Sequence, residues 1–197
     1  MNKMKRMDED NEFHLKTNDS NLYIPSKTET LNILIKLGLA KQVIYHVLAV
    51  SRQAIKIATN IKTIPVDLKL VRIGSILHDI GRTKSHSFDH GIIGGKIIRE
   101  ELKWSERLAR IAETHILGGI TKDEAKILGL PEKDYIPESI EEKIVCLADK
   151  YFVGSKMVPI DVRFRNWIDR FGASEFLMKS KYRVEELELN IYKMMYS

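Results

Sequence analysis

A single cysteine, Cys146, leaves this 197-residue chain without an internal disulfide and without a thiolate metal cluster. Any metal must then be held by histidine and carboxylate, which favours hard or borderline ions. No run approaches the roughly 18 consecutive apolar residues that a membrane-spanning helix needs. The stretch Met1–Ser20 is polar and acidic rather than signal-like, so a cytoplasmic protein with no membrane partner is expected. No alternating strand pattern of convincing length occurs, and no internal repeat. Aromatics are few and seldom interleaved with basic residues, which argues against a stacking platform for single-stranded nucleic acid.

What is present is charge of both signs and helical periodicity. The net charge of +5 sits within thirty per cent charged residues, the composition of an ordinary solvated surface rather than a clear polyanion-binding one. One bias stands out: between Leu31 and Asn60 lie Lys36, Lys41, Arg52 and Lys56 and no acidic residue, a place that attracts phosphate. With 44% hydrophobic residues the length suits one domain.

Residues 1–27 lack periodicity and read as a flexible arm. Thr28 or Thr30 can cap a short helix ended by Gly38. From Ala40 to Asn60, Val43, Val47, Val50, Ala54 and Ile57 recur at spacings of four and three, the stripe of a core-facing helix with His46 beside it. Pro65 is expected to open a third helix running through Ile80, with Gly81 stopping it. His90–Leu102 reads as a helix with Gly91, Gly94 and Gly95 on a side that a neighbour can approach closely. Ser105 can cap the next, whose apolar face Leu108, Ile111 and Ala112 continues to His115. Thr121 with Glu124, and Ser139 with Glu142, have capping-box spacing. Two helices, near 161–170 and 173–194, finish the chain. The fold expected is all-α, a bundle of about seven to nine helices. Residues 28–156 would hold the site, and 157–197 would form C-terminal helices whose Phe164, Trp167, Ile168, Phe171, Phe176 and Leu177 pack on it or on a second copy.

The chemistry lies in the histidines. Five of the six fall between positions 46 and 115, on or next to apolar faces, where an imidazole is costly unless both ring nitrogens are satisfied. A metal does this. His78 and Asp79 follow the apolar run Ile73–Leu77, and Asp149 follows Ile144–Ala148. Taken singly, each has a bland reading: His78 and Asp79 as a helix terminator, Asp149 paired with Lys150 or Arg82, His46 as a satisfied core histidine.

Together, His46, His78, Asp79 and Asp149, in that order on three helices, resemble the ligand set of the HD-domain superfamily of metal-dependent phosphohydrolases. The string His78-Asp79-Ile80-Gly81 is similar to its HDIG subgroup, and the resemblance covers about 39–156. It implies an enzyme in which one or two divalent transition-metal ions (manganese, iron, cobalt or nickel, with magnesium an alternative) activate water for attack on phosphorus. His90 and His115 resemble the extra histidines of two-metal members. One ion would then take His46, His78, Asp79 and Asp149, and a second His90, His115 and a bridging oxygen of Asp79. Their bland readings are an exposed helix start for His90 and a helix C-terminal cation for His115.

Asp79 would bridge the ions and orient the water. Arg82, Lys84 and Lys150 could each contact a phosphate oxygen or be solvated surface charges. His86 could touch substrate or simply be solvated. The expected substrate is a small phosphorylated molecule of nucleotide type, with a dinucleoside polyphosphate suggested by likeness to compact stand-alone HDIG hydrolases. No Gly-Tyr-Pro extension follows His115, which disfavours the cyclic di-guanylate branch. A single-metal nucleoside monophosphate phosphatase is the first alternative. A non-catalytic nucleotide- or RNA-binding protein is the second, with nucleic acid open but not favoured, and a homodimer is also open.

Overall fold

The structure is a computed structural model in which residues 23–196 are described. Most of the expected N-terminal arm, residues 1–27, lies outside the described residues. Of the remainder, the Tyr23 carbonyl accepts a hydrogen bond from the Ser105 N–H at 2.9 Å, and Ile24 packs against the core.

Several of the helices begin where a side chain accepts the otherwise unpaired N–H groups of the first turn. Ser26, not Thr28 or Thr30, caps α1 (Lys27–Lys36), because Glu29 three residues on completes a capping box. Thr30 spends its hydroxyl on the Ser26 carbonyl, 2.8 Å away. α2 (Lys41–Asn60) buries Val47, Val50, Ala54 and Ile57, the expected stripe. Pro65 does not open the third helix. Asp67 does, its carboxylate accepting the Leu70 N–H at 2.9 Å, and α3 spans Leu68–Leu77.

α3 is buried from Ile73 to Leu77. It runs through the middle of the bundle, against α1, α2, α5 (Glu106–Thr114) and α7 (Ile140–Lys150). Its buried Leu70, Ile73, Ile76 and Leu77 each contribute about 1.5–3 kcal/mol by leaving water. The chain then makes a short 3-10 turn, Ile80–Thr83. A Cβ on Gly81 would collide with the carbonyl oxygen of His90, so glycine lets this turn lie directly on the start of α4 (His90–Lys96). Gly81 therefore does more than end a helix: it sets how close Asp79 comes to His90.

The helix expected over His90–Leu102 is α4 followed by a wider π-turn, Ile97–Glu101. Gly91, Gly94 and Gly95 do face a neighbour: Cβ atoms there would press on Ala112 and Glu113 of α5. α6 (Lys122–Ile127) has the Thr121–Glu124 capping box. Ser139 caps α7, but the Glu142 carboxylate turns to the Glu138 N–H at 3.1 Å, so that box is only half made.

Two strands of two residues each, β1 (Phe152–Val153) and β2 (Lys156–Met157), pair antiparallel with Phe152 opposite Met157. They are too short to leave an alternating pattern in the sequence. α8 (Ile160–Phe171) and α9 (Glu175–Tyr196) complete the fold. Phe164 and Leu177 are buried, while Phe171 is 56% exposed. The protein is all-α with one minute hairpin. Among the described residues, no helix is long and apolar enough to cross a membrane.

Candidate metal centre

Six residues converge where the inner ends of α3, α4, α5 and α7 meet the second turn of α2. His46 comes from α2. His78 and Asp79 lie where α3 gives way to the 3-10 turn, His90 begins α4, His115 ends α5, and Asp149 lies in the last turn of α7. All six are buried.

Each imidazole is oriented by a backbone carbonyl. Nδ1 of His78, His90 and His115 lies 2.8, 2.5 and 2.7 Å from the carbonyls of Ser75, Ser87 and Ala112, in every case three residues earlier. Nδ1 of His46 reaches the Gly154 carbonyl, 2.7 Å away in the β1–β2 hairpin. A carbonyl can only accept, so in the neutral form of each ring the proton sits on Nδ1 and Nε2 is left with its lone pair. This arrangement suits the rings to metal ligation.

The Nε2 atoms fall into two groups around one carboxylate. His46 Nε2 is 3.0 Å from Asp149 Oδ1, and His46 and His78 Nε2 are each 3.7 Å from Asp79 Oδ2. On the other side, His90 and His115 Nε2 are 3.1 and 3.5 Å from Asp79 Oδ1. Within each group two Nε2 atoms approach closely: His46 and His78 at 3.3 Å, His90 and His115 at 3.2 Å. Two lone pairs at that separation repel unless a proton or a metal cation lies between them. The donor set of four imidazoles and two carboxylates, without thiolate, fits divalent transition metals.

The electrostatics agree. Burial holds His78 below its ordinary pKa and pushes His115 down to about 3, so both stay neutral. Burial also lowers His46, but the hydrogen bond to Asp149 and the charges of Asp149 and Asp79 outweigh it, and its pKa is raised. For Asp79 and Asp149 burial works against ionisation, yet the surrounding imidazoles with Arg82 and with Lys150 respectively hold both well below the usual carboxylate range.

The remaining expected residues separate. Arg82 Nε donates to Asp79 Oδ1 at 2.7 Å and stays partly exposed. Lys150 is buried; its Nζ donates to Asp149 Oδ2 and to the His115 carbonyl, both at 2.6 Å, so its charge is spent inside the wall. Lys84 is exposed and pairs with Glu101, and it does not line the cavity above the cluster. His86 does. That cavity, about 410 Å³, opens over Asp79 and Asp149. Its far wall is a stretch of α8 carrying Arg163, Trp167, Arg170 and Phe171, so the Trp167 and Phe171 expected to pack line the cavity, beside two arginines that the sequence pattern does not single out. Their spacings of three and four from Arg163 to Phe171 were the available signal.

The family model described as HD domain matches residues 43–153, which contain all six converging residues. The chain belongs to the HD domain family. Among related proteins, an uncharacterized protein of Methanocaldococcus jannaschii is 48% identical over 146 residues, 73% of this chain and 85% of that protein. A protein of Picrophilus torridus named tRNA (cytidine(56)-2'-O)-methyltransferase is 46% identical over 127 residues, 64% of this chain. Its namesake in Thermoplasma volcanium is 41% identical over 137 residues, 70% of this chain. The matched segments span only 36% and 39% of those two methyltransferases. No solved structure matches the chain. Membership of the HD domain family accounts for the histidine–aspartate core, and divalent metal binding is compatible with the clustered groups.

Proposed function

We propose that this HD domain protein is a two-metal phosphohydrolase acting on a phosphate ester or anhydride of nucleotide type. The observation that carries the reading is the orientation of the four imidazoles. Each gives its Nδ1 proton to a backbone carbonyl and turns Nε2 toward Asp79. A carbonyl satisfies one ring nitrogen only, and the four Nε2 atoms converging on one buried carboxylate are what a metal cation would satisfy.

His46, His78, Asp79 and Asp149 would hold one ion; His90, His115 and the other oxygen of Asp79 would hold the second. When bound, the pair supplies Lewis acidity toward water and a phosphoryl oxygen. The protein's own groups do the positioning. Asp79 lends one oxygen to each side and keeps the two halves in register. Arg82, held by Asp79 through Nε, keeps its terminal nitrogens for a phosphoryl oxygen at the cavity mouth. Lys150 neutralises the outer oxygen of Asp149 and ties it to the turn that carries His115.

A second reading, in which the phosphate belongs to RNA, is favoured by the two relatives named as tRNA methyltransferases. It changes the source of the substrate, not the site. The direct test is elemental analysis of protein purified without chelator. A phosphate-release screen against mono- and dinucleotides and phosphorylated RNA follows, with manganese, iron, cobalt and nickel. About two ions per chain with turnover is the expected result. One ion with activity on monophosphates alone would favour a single-metal phosphatase. No metal and no turnover would leave a binding protein.

A further inference from the structure

Charge around the cavity does not balance. Arg82 is paired with Asp79 and Lys150 with Asp149, which consumes both carboxylates of the floor. Two cations on α8 remain. Arg163 is partly buried, its Nε is shut off from solvent, and no hydrogen-bond partner for that atom exists among the described residues. Its guanidinium lies over the Trp167 ring, 4.4 Å from the centroid, which fixes its direction without neutralising it. Arg170 lies over the Phe171 ring at 5.1 Å. Phe171 itself lines the cavity and leaves more than half of its surface open to it and to solvent, so a ring face is free for contact. Phe88, from the loop before α4, stands 6.4 Å from it.

We propose that this face of α8 recognises a single phosphorylated nucleoside, Arg163 taking a phosphate oxygen and Phe171 stacking on the base. The inference rests on the phosphohydrolase reading for its placement beside Asp79 and Asp149, and adds what the site selects. A guanidinium with an unmade N–H at a desolvated site is completed by an anion. A planar aromatic two turns farther along the same helix offers the sequence-tolerant stacking that bases use. Trp167 is a positioning residue: it holds the guanidinium and does not itself meet the ligand. The source of the nucleoside phosphate is a free nucleotide or the phosphorylated end of an RNA.

The test separates recognition from hydrolysis by using probes with an uncleavable P–C bond. Methylphosphonate, adenosine and the phosphonate analogue of adenosine monophosphate are titrated into the metal-loaded protein by calorimetry. Trp167 fluorescence is followed in parallel in a Trp104→Phe background, where it is the single remaining indole. The adenosine phosphonate should bind tighter than either fragment by about tenfold or more. Arg163→Gln should weaken both phosphonates by about tenfold and leave adenosine unchanged. Phe171→Ala should reduce the adenosine phosphonate to the affinity of methylphosphonate. Arg163→Lys, which keeps charge but not the fork, should be intermediate, and serves if the Gln variant melts early.

A short RNA ending in the same phosphonate distinguishes the sources. Tighter binding than the mononucleotide, lost in the same two variants, assigns an RNA end; equal or weaker binding assigns a free nucleotide. Wild-type affinity of the adenosine phosphonate in both Arg163→Gln and Phe171→Ala overturns the proposal, even if phosphate release with natural substrates proceeds. Absence of turnover with every metal overturns the hydrolase reading and leaves these binding results standing.

Discussion

Nδ1 of His46 lies 2.7 Å from the carbonyl oxygen of Gly154, a residue 108 positions later in the chain. That bond makes the β1–β2 hairpin part of the candidate metal centre, because it fixes which nitrogen of His46 faces Asp149. Gly154 has φ +56 in the left-handed region, and a β-branched side chain there costs about 1–2 kcal/mol. Gly154→Val is expected to lower stability by that amount and to loosen His46. Metal content should fall from two ions toward one per chain, with His90 and His115 keeping theirs. Thermal melting and elemental analysis of the same preparation check it; a variant that melts early yet retains both ions would detach the hairpin from the site.

Asp79 offers Oδ2 to one pair of histidines and Oδ1 to the other. The two halves can therefore be removed together or singly. Asp79→Ala should abolish binding of both ions and cut phosphate release by about a hundredfold or more, since loss even of outer-shell partners costs on that order. His115→Ala should retain the His46 ion and lose the other. Two ions retained in His115→Ala would contradict the two-centre reading, and an active Asp79→Ala enzyme would end the hydrolase account.

Two histidines pull the stability of the metal-free protein in opposite directions with pH. Burial depresses His115 to about 3 from an ordinary 6.5. Its contribution is full above pH 6.5 and is lost as pH falls from there toward 3, because the unfolded chain binds a proton that the folded one refuses. Despite burial, the hydrogen bond to Asp149 and the nearby carboxylates raise His46. Its contribution is full below pH 6.5 and is lost as pH rises through its folded value. The melting temperature of chelator-treated protein should therefore peak near pH 6.5 and decline on both sides. A steady rise or fall between pH 5 and 8 would show that one of the two shifts is absent.

Much of this was legible in the sequence because it depends on local spacing. The α2 stripe, the Ser105 and Thr121 caps, and the polar pairs ending apolar helices at His78–Asp79 and Asp149 are all consequences of 3.6-residue periodicity interrupted by groups that burial forbids. What escaped depends on distance in the chain. Nothing near His46 announces that Gly154 will hold its ring, and a two-residue strand leaves no alternation to read. The sequence offers Lys150 as a partner for Asp149, but not that α7 buries it and ties it also to the His115 carbonyl. Arg163 and Phe171 were hidden differently, inside a tail whose aromatic content suggested packing. Phe164 and Leu177 do pack, but α8 shows its other side to the cavity. Ser26 displaced Thr28 and Thr30 as the first cap through Glu29, a reciprocal bond visible in the sequence once all three candidates are compared.

Cys146 separates the chemistry of the site from its packing. The thiol is buried behind the centre, its Sγ 3.7 Å from the His115 carbonyl and 3.5 Å from the Leu117 carbonyl, and burial pushes its pKa up to about 11. Thiolate is the reactive form, so at pH 8 the native protein should resist iodoacetamide and become labelled only on unfolding. Cys146→Ser replaces the sulfur with a smaller hydroxyl that can donate to the same carbonyls, and should cost no more than about 1–2 kcal/mol. Metal content and phosphate release should stay at the wild-type level, since no ligand is touched. Loss of metal in Cys146→Ser at unchanged melting temperature would mean that the sulfur itself takes part in the centre, contrary to a ligand set made only of histidine and aspartate.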